Sequence, residues 1–451
     1  MKYFPLTDPD REEIRKALGI KETKELFSDI PCDKAYYPLD NFPLAVPENE
    51  LLEQFKTIAK KNKFSEYLSF LGGGAYHHFT PEVVKSLSQK GEFLTPYTPY
   101  QPEVSQGSLQ AMFEYQTMMT MLTGMDVANA SLYDGGTAAA EGALLALRKA
   151  RKKNTILIAR NLHPEYIEIV ETYIRDLVEY KSDYVDYDPE TGTINLEDLE
   201  KKVCDDCAGF LFQSPNFFGV VENNNKISEI LHGKNAYSIQ VITEAMSLPF
   251  LVPPGENGVD IVVGEAQSFG LPLGYGGPYL GFMAVKEEFV RHMPGRLVGE
   301  TVDVDGKRGY VLTLSTREQH IKREKATSNI CSNEAWCALR AGMYLATMGK
   351  TGLMKIAKTN HLNAAYFAKE IAKYNHVSLK FKNNFFNEVT LEIKNMSTDQ
   401  FLEKLEAQSI LAGIPLKWFY KDLESAVLIN FTELHKKKDI DALIHAIGEL
   451  Q

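Results

Sequence analysis

Apolar and polar positions along this chain follow two rhythms. From residue 105 to about 320, short runs that are apolar at nearly every position alternate with stretches whose apolar residues recur every three or four positions. The runs TILIA, AGFLFQ, YSIQVIT, VDIVVG and YLGFMAV lack the in-and-out alternation of a half-exposed strand, so they predict strands buried on both faces. The stretches between them predict helices: one over residues 105–123 stopped by Gly124, an Ala/Leu-rich one over 138–150, and one opening at Pro164. Buried strands separated by helices describe a mainly parallel sheet covered on both sides, hence a large α/β domain.

Beyond residue 332 the rhythm changes. A helix is predicted from Glu334 to Met348 with Gly349 as its stop, followed by the strand-like runs VSLKFK, FFNEVTLEI and AVLINF, a helix opened by Ser397 or Thr398, and a closing helix from Lys438. That pattern predicts a small α+β unit. At the other end, Asp8 reads as an N-cap, Pro9 as the first helical residue and Gly19 as the stop, and a second helix is expected over 48–60. The Gly-, Pro- and aromatic-rich strings FLGGGAYHHFTP and TPYTPYQP suit segments that wrap a surface. The expected division is an N-terminal arm (1–64), a large α/β domain (65–332) and a C-terminal α+β domain (333–451).

Composition narrows the classes. A formal net charge of -11 with dispersed Lys and Arg opposes nucleic-acid binding. The N-terminus turns charged within ten residues and no apolar run approaches bilayer length, so a cytoplasmic protein without a membrane span is expected. Of the five cysteines, Cys204 and Cys207 form a CxxC with no second pair at zinc-site spacing, and ordinary thiols are the simpler reading. His77, His78 and His163 show no metal-ligand spacing, so no metal is expected.

The chemistry concentrates in GVDIVVGEAQSFGLPLGYGGPYLGFMAV, a strand, a polar turn, a glycine-rich loop and a second strand. Pyridoxal-phosphate enzymes of the aspartate-aminotransferase fold type carry their Schiff-base lysine in such a turn. Here Gln267 stands there, and no lysine occurs between Lys234 and Lys286. An amide cannot form the imine. One strand earlier, where such enzymes hold the pyridine nitrogen with an aspartate, the chain offers Glu244. Gly135, Gly136 and Thr137, ahead of a helix, could cup a phosphate with backbone N–H groups. Taken singly, these are a turn amide, a satisfied acid and a packing device; together they describe a vestigial cofactor pocket.

Four strings carry a resemblance that is far more specific: YFPLTDPDREEIRKALGI with its ELFSDIP sequel, YTPYQPEVSQGSLQAMFEYQ (97–116), SLYDGGTAAAEGALLALR (131–148) and LVGETVDVDGKRGYVLTLSTREQHIKREKATSNICSN (297–333). They resemble the P-protein family of the glycine cleavage system, in particular its alpha (subunit 1) chains and the N-terminal half of its single-chain form. The resemblance implies a fold-type-I pyridoxal-phosphate transferase-like domain and an α2β2 complex with a beta subunit (subunit 2). In that complex the beta chain would hold pyridoxal phosphate, decarboxylate glycine and pass the aminomethyl group to the lipoyl arm of the H-protein. The alpha chain would complete the partner's site across the interface.

By residue type, Tyr97, Thr98, Tyr100 and Gln101 offer hydroxyls and an amide to that site, or simple interface packing. Thr316, Arg317, Gln319, His320, Lys322 and Arg323 form a dense polar cluster that could face a carboxylate, a phosphate or the H-protein, or be a solvated basic turn. The rivals to an interface-completing subunit are a non-catalytic scaffold and an independent pyridoxal-phosphate enzyme.

Overall fold

A computed structural model describes residues 6–30, 42–317, 319–326 and 334–450, without the side chains of Ser315, His320 and Lys325. The chain forms two compact units, Met1–Ser65 and Glu66–Gln451. The first contains helices Asp8–Leu18 and Glu48–Ala59. Its first cap is Thr7 rather than Asp8: the Thr7 hydroxyl accepts from the Asp10 N–H while the Asp10 carboxylate accepts from the Thr7 N–H. This reciprocal box satisfies two orphan donors where Asp8 could satisfy one. The expected boundary after residue 332 lies outside the described residues.

The strands of the second unit are β1 (Leu68–Ser69), β2 (Val127–Ala128), β3 (Thr155–Ala159), β4 (Lys181–Val185), β5 (Cys207–Gln213), β6 (Tyr237–Ile242), β7 (Ile261–Glu265), β8 (Gly281–Val285), β9 (Leu297–Val302), β10 (Arg308–Thr313), β11 (Val377–Leu379), β12 (Glu388–Ile393), β13 (Ile410–Leu411), β14 (Ile414–Pro415) and β15 (Ala426–Asn430). Seven of them form one sheet in the order β2-β8-β7-β6-β5-β3-β4. β4, β3, β5, β6 and β7 run parallel, β8 is antiparallel to β7, and β2 at the edge is antiparallel to β8. Every residue of β5, β7 and β8 is buried, the physical source of their uniformly apolar runs. β4 lies at the other edge and alternates exposed with half-buried positions, which hid it among polar residues.

Helix Gly135–Ala150 lies across β5 to β8. Its small residues let it approach closely: a Cβ added at Gly142 would meet Val263 at 3.0 Å. It begins three residues earlier than its Ala/Leu pattern suggests, because the Asp134 carboxylate caps the Thr137 N–H at 2.7 Å.

The β9/β10 hairpin stands apart from the main sheet. Two carboxamides of helix Gln106–Thr123 pin it. Gln116 pairs with both backbone groups of Val298 at 3.1 and 3.0 Å, and Gln106 with both of Tyr310 at 2.9 Å each. Each amide mimics the next strand of a ladder. A second sheet, β11-β12-β15-β14, is antiparallel throughout. Helix Ala335–Ile371 packs on its β11 and β12 strands. Gly349 (φ 57°, ψ 179°) has non-helical backbone and divides that element into two helical stretches, so the first ends at the stop expected from sequence and a second runs on to Ile371.

Candidate functional site

β6 and β7 are neighbours in the sheet, and the turns after them carry Glu244 and Gln267. Each is only 2% exposed. Gln267 is held at three points: its N–H donates to Glu265 Oε1 at 2.9 Å, its Nε2 to the Leu271 carbonyl at 2.8 Å, and its Oε1 accepts from the Tyr76 N–H at 3.1 Å. Glu244 accepts from the Met246 N–H at 2.8 Å and faces His78 Nε2 at 3.0 Å. His78 Nδ1 in turn faces Glu433 Oε2 at 2.8 Å. A ring with a carboxylate at each nitrogen carries both protons. Burial alone would favour the neutral ring, but the carboxylates of Glu244 and Glu433 outweigh it and push the His78 pKa up to about 10. Burial likewise opposes the Glu433 carboxylate, and the imidazolium more than reverses this, holding Glu433 below its ordinary value.

The segment that brings His78 inward needs its glycines. A Cβ at Gly72 would lie 2.3 Å from Glu388 Oε1, and one at Gly74 (φ +112°) 2.7 Å from His163 Nε2. Instead, the Gly73 N–H donates to Glu388 Oε1 at 2.7 Å and the Tyr76 hydroxyl to Glu388 Oε2 at 2.9 Å. Burial pushes the Glu388 pKa up to about 7. Tyr76, His78, Glu388 and Glu433 were not singled out as site residues from sequence. The available signal was the triple glycine, which demands a close backbone approach.

The start of helix Gly135–Ala150 is equally occupied. The Gly135 N–H donates to Glu265 Oε2 at 2.9 Å, and the Thr137 N–H to Asp134. Glu265 also accepts from the Leu280 N–H at 2.8 Å, and burial pushes its pKa up to about 7. A Cβ at Gly135 would sit 2.2 Å from the Tyr166 hydroxyl, and one at Gly136 2.5 Å from Ile169.

The outer residues divide. Tyr97 is 78% exposed beside a groove of about 90 Å³ lined by Phe93, Leu94, Met112 and Trp336. Thr98 is half-buried, Gln101 exposed, and Tyr100 accepts a hydrogen bond from Arg296 at 3.0 Å with its ring under that guanidinium. Gln319, Lys322 and Arg323 are exposed, whereas the His320 side chain lies outside the described residues. Arg317 departs from the outward role expected of it. It is buried, and its guanidinium donates to the carbonyls of Met293, Gly295 and Leu314. Tyr100 and Arg317 thus grip the same 293–296 segment, Tyr100 through Arg296 and Arg317 through Gly295.

Known proteins supply the frame. Residues 1–447 match the family described as glycine cleavage system P-protein. The chain belongs to the glycine cleavage system P-protein family. A probable glycine dehydrogenase (decarboxylating) subunit 1 from Koribacter versatilis is 46% identical over 454 residues, covering 100% of both chains. The counterpart from Moorella thermoacetica is 45% identical, over 99% of each. The crystal structure of glycine decarboxylase (P-protein) of the glycine cleavage system in inhibitor-bound form matches with a TM-score of 0.85 at 39% identity, over 100% of both chains. Glutamate decarboxylase from Lactobacillus brevis matches with a TM-score of 0.70 at 13% identity, over 92% of this chain and 95% of that one. The last likeness bears on fold alone, and the fold is that of fold-type-I pyridoxal-phosphate enzymes.

Within the P-protein frame, pyridoxal phosphate does not fit this pocket. Gln267 offers no amine, Glu244 is paired with His78, and the Gly135 N–H expected to meet a phosphate meets the Glu265 carboxylate instead. A phosphate at the Gly135 N–H would have to displace a buried carboxylate. Among the described residues, no group of three His, Cys, Asp or Glu could hold a metal ion, and no helix is long and apolar enough to cross a membrane.

Proposed function

We propose that this chain is the subunit of a glycine decarboxylase that completes, and does not house, the cofactor site. The observation that carries this reading is the pocket: the groups that would meet an imine carbon, a pyridine nitrogen and a phosphate are all bonded within the chain. The full-length relatives named as subunit 1 of glycine dehydrogenase (decarboxylating) support a second subunit. In this reading the partner carries pyridoxal phosphate on a lysine. The two chains assemble as α2β2 in the cytoplasm, act on glycine, and deliver the aminomethyl group to the lipoyl arm of the H-protein. Tyr97, with Thr98, Gln101, Gln319, His320 and Arg323, reaches toward the partner's site.

The experiment is to purify the chain alone and together with its partner subunit. Glycine–bicarbonate exchange and cofactor absorbance are expected only with the partner. A stoichiometric, borohydride-stable pyridoxyl-lysine on the isolated chain would refute the reading. For Arg317 the scaffold alternative is favoured by a specific observation: its guanidinium donates inward to three backbone carbonyls.

A further inference from the structure

We infer that residues 271–280, LPLGYGGPYL, form a preorganised loop that presents Tyr275 to the partner subunit, with Glu265 and Gln267 serving as its clamp. This rests on the two-subunit reading above. At one root of the loop, Gln267 Nε2 donates to the Leu271 carbonyl at 2.8 Å; at the other, Glu265 Oε1 accepts from the Leu280 N–H at 2.8 Å. The Gln267 N–H donates to the same Glu265 oxygen at 2.9 Å, and the Ala266 N–H to the Leu280 carbonyl at 2.8 Å, so the two roots are tied to each other. Residues that do not fit a cofactor therefore have a definite mechanical use.

The tip is strained. Gly274, Tyr275, Gly276 and Gly277 have φ of 54°, 57°, 105° and 143°, four consecutive positive values. Glycine tolerates this, but a tyrosine there is disfavoured by roughly 1–2 kcal/mol. Such strain persists where the surrounding structure over-determines it, and it clusters at functional sites. Tyr275 is 97% exposed. No Asp, Glu, Lys or Arg occurs from Ala266 to Val285, so the loop is uncharged as well as aromatic. Depletion of charge with enrichment of tyrosine marks the centre of a protein–protein interface rather than a solvated turn. The lack of charge also argues against a strongly charged occupant such as a nucleic acid, and the relatives named as subunit 1 point to a second subunit as the occupant.

The test uses the assembled two-subunit complex. With photoreactive p-benzoylphenylalanine at position 275, irradiation should join this chain to the partner subunit. Crosslinks confined to the chain itself, to a second copy of it, or to the H-protein would overturn the inference. Tyr275→Ala should weaken assembly about thirtyfold, as for a buried aromatic anchor, while leaving the thermal midpoint of the isolated chain unchanged. Gln267→Ala should weaken assembly too, and combining it with Tyr275→Ala should add nothing further. Fully additive losses would make Gln267 merely structural and remove the clamp. If the unaltered chain neither binds the partner nor restores exchange activity, the two-subunit reading fails along with the loop; if that complex is active and Tyr275→Ala binds as tightly, only the loop inference fails.

Discussion

The pocket around Gln267 and the surface around Tyr97 belong to one chain but meet the demand for polar partners in opposite ways. In the pocket, Glu244, Gln267, Glu265, Glu388 and His78 all find partners within the chain and are buried. At the surface, the Tyr97 ring is open to water beside an apolar groove. The difference is one of solvent. A polar group in the interior must be paired at once, because leaving it unmatched costs about 1–3 kcal/mol. A polar group in water can wait for a partner. A pocket without a Schiff-base amine therefore closes on itself, whereas an exposed side chain such as Tyr97 can stay open.

The largest test of that contrast is His78→Ala. Removing the imidazolium leaves two buried carboxylates facing one another, and breaking such a pair destabilises by roughly 3–5 kcal/mol; urea unfolding measures it. A pocket that is loosely packed and wet would lose less than about 1 kcal/mol. The same ring sets an alkaline limb. Its folded pKa of about 10 lies above the ordinary histidine value of 6.5, so its stabilisation is complete below pH 6.5 and is lost as pH rises toward 10. The urea midpoint should fall between pH 7 and 10 in the wild type and be flatter in His78→Gln.

Next comes Arg317→Ala, which strips donors from three backbone carbonyls and should lower stability by about 2–3 kcal/mol in thermal or urea unfolding. Unchanged stability with lost exchange activity would move Arg317 back among the outward-reaching groups. Gln267→Lys sharpens the comparison differently, because it restores an amine without opening the pocket. Borohydride reduction with added pyridoxal phosphate should leave no stoichiometric adduct at position 267, and such an adduct would mean that only the amine is missing. The smallest effect on the fold belongs to Tyr97→Ala, within about 0.5 kcal/mol for an exposed site. Its consequence should appear as lower glycine–bicarbonate exchange in the rebuilt complex.

Much of the fold is legible in single residues. CAGFLFQ reads as a buried strand because both faces of β5 are covered. KSDYV does not, because β4 lies at the sheet edge where one face tolerates charge. Gly349 reads as a helix stop because glycine adopts positive φ readily, and its φ of 57° and ψ of 179° do break the helix there before a second stretch runs to Ile371. At the site, the missing amine at position 267 is plain from sequence, whereas the groups that hold that amide are not: Tyr76 lies 191 positions away.

The order of strands and helices, the uncharged glycine-rich loop and the lack of an amine after β7 were determined by the sequence itself, through local spacing and residue type. The charge on His78, the inward turn of Arg317 and the filling of the Gly135 N–H site were decided only by tertiary structure. The first is the most non-local, Glu244 and Glu433 standing 166 and 355 positions from His78. Protonation and side-chain direction follow the local field and hydrogen-bond geometry, and neither exists until the chain has folded.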